Sequence, residues 1–139
     1  MRRVVHWRSR NPERGAAAVE FALVVPLLIL TTIGAYDACR MVTSRTMLAY
    51  ATIVGARTGV VLQTATTSVV QTAVINAAPF LHLTTSNVPT VSSSNGTWAN
   101  RNRGDVVTVT AKFQFTPTLP LFTRLVQKNY TYTSKMTIP

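Results

Sequence analysis

The sequence predicts an α+β fold, in which a long N-terminal helix is followed by a small antiparallel β-sheet. An apolar stretch over residues 15–36 runs on into a segment of helical periodicity that contains no proline up to residue 78. Near the C-terminus, apolar and polar residues alternate over residues 107–115 and again over 130–138, the pattern of strands with one buried face. At 139 residues, one small compact domain besides the apolar helix is the expectation.

The composition excludes several classes of function. Charged residues make up 13% of the chain, about half of the roughly 25% typical of soluble domains, and there are 4 Asp plus Glu and 22 Thr. The single cysteine, Cys39, excludes an internal disulfide and any site of several thiolates. His6 and His82 are far apart in sequence, and Ser92–Ser94 lacks a Gly-x-Ser-x-Gly context. We therefore predict no metal site, no cofactor and no catalytic residues.

The positive charge is unevenly distributed. The formal net charge is +10, and five of the 14 basic residues lie in the first 14 positions. These are Arg2, Arg3, Arg8, Arg10 and Arg14. The next 25 residues contain no Lys or Arg, and the remaining nine basic residues are scattered singly. The pattern indicates a basic leader and argues against a nucleic-acid-binding surface.

The stretch Gly15–Tyr36 has the length of a membrane span. Its 22 residues carry one charge, Glu20. As a helix it extends roughly 33 Å, which matches the hydrocarbon core of about 30 Å. Because the arginines crowd its N-terminal side, the positive-inside rule predicts a cytoplasmic leader and a C-terminal part outside the cytoplasmic membrane.

Three interpretations compete for this span: a cleaved secretory signal, a permanent anchor, or a prepilin-type signal cut before the apolar run. A secretory signal needs small residues at the first and third positions before the cut. A cut after Ala38 would place Tyr36 at the third position, and a cut after Ala35 would place Ile33 there. Cys39 is not preceded by the Leu-small-small sequence of a lipoprotein signal. A signal cleaved at the end of the apolar run is therefore disfavoured.

Glu20 favours the prepilin interpretation. An unpaired carboxylate inside a membrane helix costs about 2.5–3.5 kcal/mol on insertion scales, so it normally has a partner. If a peptidase cuts between Gly15 and Ala16, Glu20 becomes the fifth residue of the mature chain and Phe21 the sixth. This arrangement resembles the prepilin motif of type IV pilins, in which the glutamate neutralises the N-terminal amine of a neighbouring subunit. Opposite charges attract strongly in such a low-dielectric helix bundle.

The stretch Arg14–Val42 more specifically resembles the N-terminal signature of the TadE-like family, small minor pilins or pseudopilins of bacterial tight-adherence (type IVc, Flp) pili. The shared features are Arg-Gly before the cut, Ala-Val-Glu-Phe-Ala after it, Pro26 in the apolar run and an acidic residue, Asp37, at its exit. The resemblance implies processing by a prepilin peptidase and a place in the cytoplasmic membrane or the extracellular pilus. The implied partners are other pilins or pilus assembly components, in homo- or hetero-oligomers packed through the N-terminal helix, and the lipid bilayer.

These observations predict four regions. Residues 1–15 form a leader that is removed, and residues 16–36 a transmembrane, filament-packing helix. Residues 37–78 are an exported helical region, and residues 79–139 contain loops and antiparallel strands.

Within the exported helical region, one helix face is predicted to be apolar or small, with members at spacings of three and four. Its residues are Val42, Thr46, Ala49, Ile53, Ala56 and Val60. Gly55 and Gly59 either allow close approach of another helix or end or kink this one. A second helix is predicted over residues 66–78, with Thr66, Thr67 or Ser68 as its N-cap and Pro79 closing it.

The Ser-, Asn- and Gly-rich segment 83–103 predicts a loop with a short strand at Asn87–Val91. Next to Trp98, the cations Arg101 and Arg103 are predicted to lie in a solvated turn rather than on an anion-binding surface. Cys39 is predicted to be a small buried hydrophobe rather than an intermolecular disulfide.

The favoured function is a structural pilus subunit or assembly component. The alternative is a single-pass membrane-anchored protein with an exported binding module at the cell envelope. An enzyme is least favoured, because the exported part offers no credible base, nucleophile or metal cluster.

Overall fold

The structure is a computed structural model that describes residues 12–88, 90–118, 124 and 129–139. The leader up to Asn11, with four of its five arginines and His6, lies outside the described residues. The chain divides into two compact units, the first ending at Tyr36 and the second comprising Asp37–Pro139.

The first element, helix α1, comprises Pro12–Val61 and contributes to both units. Pro12 suits a first helical position, because the N–H that it lacks would have no partner there. Thr31 and Thr32 are polar residues within the apolar stretch, and both hydroxyls donate to the Leu28 carbonyl, at 2.9 and 2.7 Å. This back-bonding removes the cost of exposing their hydroxyls to an apolar environment.

Helix α2 comprises Thr67–Ala77, with Thr66 as its N-cap, within one residue of the predicted bounds. The Thr66 hydroxyl makes no hydrogen bond to the helix backbone and instead pairs with the Ser68 hydroxyl at 2.8 Å. Pro79 begins a short 3-10 turn, so the predicted stop is confirmed.

The sheet has three antiparallel strands in the order β1-β2-β3: β1 Thr90–Ser93, β2 Val106–Gln114 and β3 Asn129–Thr137. The predicted C-terminal pair is confirmed, with Val107 opposite Met136 and Val109 opposite Ser134. The predicted strand at Asn87–Val91 begins three residues before the observed one. Thr84 and Asn87 form a reciprocal capping box around a 3-10 turn at Thr85–Asn87, and the strand starts at Thr90.

Ser92 and Ser93 therefore belong to β1 rather than to a loop. The additional strand stabilises the sheet. A two-stranded ribbon alone is marginally stable, whereas a three-stranded sheet with an apolar face can be stable.

The core of the second unit lies between α1, α2 and the inner face of β2. Its fully buried members on β2 are Val107, Val109 and Ala111, and on α2 they are Val70 and Val74. The inward positions of β2 alternate with half-buried or exposed ones, as the period of two predicted.

The predicted apolar face of α1 was partly wrong. Ala56 and Val60 are buried, but Val42, Thr46 and Ile53 are exposed and Ala49 is half-buried. The buried face is formed instead by Leu48, Ala51, Thr52, Gly55, Ala56, Gly59 and Val60. This face is dominated by small residues because α2 and β2 approach the α1 backbone closely there.

Gly55 and Gly59 make that approach possible. A Cβ at Gly55 would collide with the Val74 side chain, and one at Gly59 would lie 3.0 Å from Val107 Cγ1 and 3.1 Å from Trp98 Cη2. The helix continues through both residues to Val61, so close approach is the correct interpretation of the two alternatives.

Candidate functional site

The candidate site is the part of α1 that belongs to the first unit. Among the described residues, α1 is the one helix long and apolar enough to cross a membrane, by length and composition. Its most apolar 18-residue window has a mean hydropathy of 2.2, and none of that window is buried within the chain. A helix that is apolar on all sides requires an apolar environment around it.

The side chains confirm that this helix is uncovered. Phe21 is 69% exposed and Leu23 is 74% exposed, and further large apolar residues of the segment are more than half exposed. These are Val19, Leu27, Leu28 and Ile29. Since one fully buried Leu or Phe side chain contributes about 1.5–3 kcal/mol, this surface strongly favours contact with lipid or with other helices.

The predicted cleavage residues, Gly15 and Ala16, lie within the first turns of α1 and are exposed. A Cβ placed on Gly15 would meet nothing within 4 Å. Glycine at this position is therefore not required by packing against the described residues.

Glu20 lies one turn after Ala16 on the same side of the helix, since residues four apart are neighbours on a helix surface. Its side chain is exposed and makes no hydrogen bond or ion pair with the described part of the chain. Phe21 is the adjacent exposed residue. The only charge between Gly15 and Tyr36 thus lacks a counter-ion within the described residues.

At the start of the second unit, Asp37 holds a distant segment against α1. Its carboxylate is buried and accepts hydrogen bonds from the Thr118 backbone N–H at 2.9 Å and the Thr118 hydroxyl at 2.8 Å. Arg40 adds an ion pair with Asp37 at 3.4 Å and donates to the Thr118 hydroxyl at 3.1 Å. The acidic residue at the exit of the apolar run therefore anchors the segment that follows β2, a role that the sequence did not predict.

The position of Arg101 corrects another prediction. Its guanidinium is buried, stacks 3.8 Å from the centre of the Trp98 ring, and donates to the carbonyls of Leu62, Gln63 and Ala65. The Trp98 indole N–H donates to the same Ala65 carbonyl at 2.8 Å. The predicted solvated turn is wrong for Arg101, whereas Arg103 is exposed.

Burial lowers the pKa of the Arg101 guanidinium from its ordinary value, because desolvation disfavours the charged form. The carbonyls of the turn that follows α1 offset this cost by accepting charge-assisted hydrogen bonds. The signal in the sequence is an Arg three residues after a Trp. This signal does not predict the burial of Arg101, because the partner carbonyls lie 36 to 39 residues earlier.

Asp105 organises the loop between β1 and β2. Its buried carboxylate accepts hydrogen bonds from the Asn95 side-chain amide at 2.8 Å, the Asn102 backbone N–H at 2.7 Å and the Ser94 hydroxyl at 3.4 Å. Both acidic side chains of the second unit are thus used in internal contacts.

Two further predictions concern possible reactive groups. Cys39 is exposed rather than buried, because it lies on the opposite side of α1 from its neighbours Asp37 and Met41, which are buried and half-buried. His82 is exposed in a left-handed turn with φ of 48°, and its Nδ1 lies 3.2 Å from the Phe80 carbonyl oxygen. No three His, Cys, Asp or Glu side chains of the described residues gather into a group that could hold a metal ion.

Comparison with known proteins identifies the N-terminal part of the chain. Residues 15–57 match the family described as TadE-like protein. No curated protein and no solved structure matches the chain. The TadE-like family is a structural or assembly family of pili and is not known to be enzymatic. The uncovered apolar helix and its exit into the second unit thus lie in a segment that is similar to TadE-like proteins, a family associated with Tad pili, and the helix fits a single-pass membrane anchor.

Proposed function

We propose that this protein is a structural minor pilin or pseudopilin, processed by a prepilin peptidase and needed for assembly of a tight-adherence (type IVc, Flp) adhesive pilus. The observation that carries the proposal is the pairing of an uncovered apolar helix with one carboxylate, Glu20, that has no counter-ion in the described part of the chain. A structural role is consistent with the family and requires no active site.

Cleavage between Gly15 and Ala16 supplies the missing counter-ion. The new Ala16 amine is a cation at the edge of an apolar helix, and Glu20 of a neighbouring subunit neutralises it as the helices pack. Glu20 would also lie in the first turns of the shortened helix, where the backbone dipole favours negative charge by about 0.3–1 kcal/mol. The partners in this proposal are the peptidase, other pilins or assembly components, and the bilayer of the cytoplasmic membrane.

Processing is tested by the N-terminal sequence of the protein recovered from its native cell. We expect a chain that begins at Ala16, with five Arg and one Glu removed and a net charge of +6 in place of +10. Gly15→Arg should leave the precursor uncut, because the peptidase needs a residue without a side chain there. A chain that begins at Met1 would support the anchored-module alternative, and one that begins near residue 36 or 39 an ordinary or lipoprotein signal.

The role of Glu20 is tested by Glu20→Ala. Membrane insertion should be unchanged or improved, because an intramembrane charge costing about 2.5–3.5 kcal/mol is removed. Filament assembly should fail or slow, because the Ala16 amine loses its partner and stays an uncompensated cation among apolar helices. The measurements are filament counts and co-purification with other pilus components.

The matched control is Val24→Ala, which trims an exposed residue one turn along the same helix side without changing charge. It should assemble normally. Normal filaments in both Glu20→Ala and Gly15→Arg would contradict the pilin proposal.

The alternative function, a single-pass protein that carries an exported binding module, is favoured by the compact second unit with its own core. In that case Glu20→Ala would be silent in every assay of export and activity. The Glu20→Ala experiment therefore distinguishes the two functions.

A further inference from the structure

The second unit has an excess of positive charge that its own acids do not neutralise. Residues 37–139 contain nine Lys and Arg and two Asp, a formal charge of +7. Asp37 and Asp105 are both buried and hydrogen-bonded within the unit. Apart from Arg40, which pairs with Asp37, the exposed cations of this unit therefore favour external anions.

Arg45 is the cation best prepared to hold one. Its guanidinium carbon lies over the Tyr130 ring, 4.4 Å from the ring centre. It makes no hydrogen bond or ion pair with the described part of the chain. Stacking leaves the N–H donors along the edge of the guanidinium available in a defined direction.

A cleft of about 330 Å³ adjoins this stacked pair and is lined by Arg45, Leu48, Tyr130, Thr131 and Tyr132. Three of the five lining side chains carry a hydroxyl. The Tyr130 side chain is more than nine-tenths buried, and its hydroxyl has no hydrogen-bond partner in the described part of the chain. A buried hydroxyl without a partner is destabilising, so an acceptor that reached it from the cleft would recover free energy.

We propose that this cleft binds a phosphate-type oxyanion, either a free ion or the phosphate of a lipid headgroup. The guanidinium fork can engage two oxygens of the anion in parallel. A carboxylate would use both of its oxygens in this contact. A phosphate would have two more oxygens, which can accept hydrogen bonds from the hydroxyl groups of β3. The proposal is independent of the pilus function, because it uses only residues of the second unit.

The test uses the full chain in an uncharged detergent with 15N-labelled arginine, at constant ionic strength. Inorganic phosphate is titrated while the Nε–H resonances are followed, and acetate is titrated in parallel as the carboxylate probe. We expect a saturable change at Arg45, weaker binding of acetate, and a non-saturating response at Arg57, which is exposed on α1 outside the cleft.

Two variants separate binding from folding. Tyr130→Phe keeps the ring beneath Arg45, so the thermal midpoint of the free protein should be unchanged or higher, yet phosphate affinity should fall several-fold. Arg45→Lys removes the fork and should weaken binding about tenfold or more, since a hydrogen bond to a charged group is worth about 1.5–3 kcal/mol. For the Arg45→Lys variant, the readout is the phosphate-dependent change in the Thr131 and Tyr132 amide resonances. Arg57→Lys is the matched control and should bind as the unaltered protein does.

Bilayer discs distinguish the two sources of phosphate. If the Arg45 resonance in discs containing phosphatidylglycerol already lies at its phosphate-bound position, and in phosphatidylcholine discs it does not, the ligand is a headgroup. If both discs need added phosphate, the ligand is the free ion. Equal, non-saturating shifts at Arg45 and Arg57, or tighter binding of acetate than of phosphate, would overturn the proposal.

Discussion

Arg101 combines a buried charge with a structural task at the end of α1. Three carbonyls beyond Val61 accept from one guanidinium nitrogen, and the Trp98 ring covers one face of the group. A lysine could not reproduce this arrangement, because its ammonium lacks a plane that stacks on an aromatic ring. The residue therefore ties the turn between α1 and α2 to the loop that precedes β2.

We predict that Arg101→Ala lowers the free energy of unfolding of the second unit by about 2–4 kcal/mol, because its charge-assisted hydrogen bonds and its stacking on Trp98 are lost. Arg101→Lys should cost roughly half as much. Hydrogen exchange at the Val109 amide, in the central strand, measures the effect. The exposed neighbour provides the control, since Arg103→Ala should change stability by about 0.5 kcal/mol or less. Equal effects of Arg101→Ala and Arg103→Ala would show that the contacts of Arg101 do not contribute to the stability of the second unit.

At the scale of elements, the strands were predictable and the packing face of α1 was not. Strict alternation along β2 and β3 depends only on the residues of each strand, so their bounds were correct to about one residue. The buried face of α1 depends on what packs against it. Because α2 and β2 come close, small residues such as Gly55 and Ala51 are buried there and Ile53 is left exposed, which hydrophobicity alone does not indicate.

We predict that Gly55→Ala destabilises the second unit, although alanine is favoured over glycine in a helix by about 1 kcal/mol. The new methyl group would collide with Val74, which is fully buried, and overpacking of a core costs about 1–3 kcal/mol. A double-mutant cycle checks the cause. In the Val74→Ala background the same substitution should be neutral or stabilising, with a coupling energy of about 1 kcal/mol or more. A penalty that is equal in both backgrounds would exclude the collision as its source.

At the scale of the whole molecule, the N-terminal segment was predictable because its signals are contiguous in sequence. The arginines, Gly15, Glu20 and the apolar run can be identified without knowing the fold, and the family match covers residues 15–57, which begin after the arginines. The polar contacts of the second unit were missed for the opposite reason. Asp37 accepts a hydrogen bond from Thr118, which lies 81 positions later, and no local sequence pattern predicts a partner at that distance.

We predict a single membrane crossing with the leader in the cytoplasm. Five arginines precede the apolar run, and only Arg40 and Arg45 closely follow it, so the charge difference favours this orientation. Fusions after Val70 to a reporter that is active only outside the cytoplasm should be active. Replacing the five leader arginines by Gln should reduce that activity, whereas Arg57→Gln, which lies far beyond the apolar run, should not. Fusions that are active only in the cytoplasm would contradict the prediction.

The contact between Arg101 and the carbonyls beyond α1 also sets an order of events during synthesis. The chain grows from its N-terminus at about 5–20 residues per second, so the 36 positions that separate Ala65 from Arg101 take about two to seven seconds. During that interval the turn between α1 and α2 exists without its cap, and the central strand β2 has not yet been made. The second unit therefore cannot close in stages from its N-terminal end. Its core is completed only by the last third of the polypeptide, and a chain truncated before residue 101 should lack the contacts of Arg101 with the turn at Leu62–Ala65.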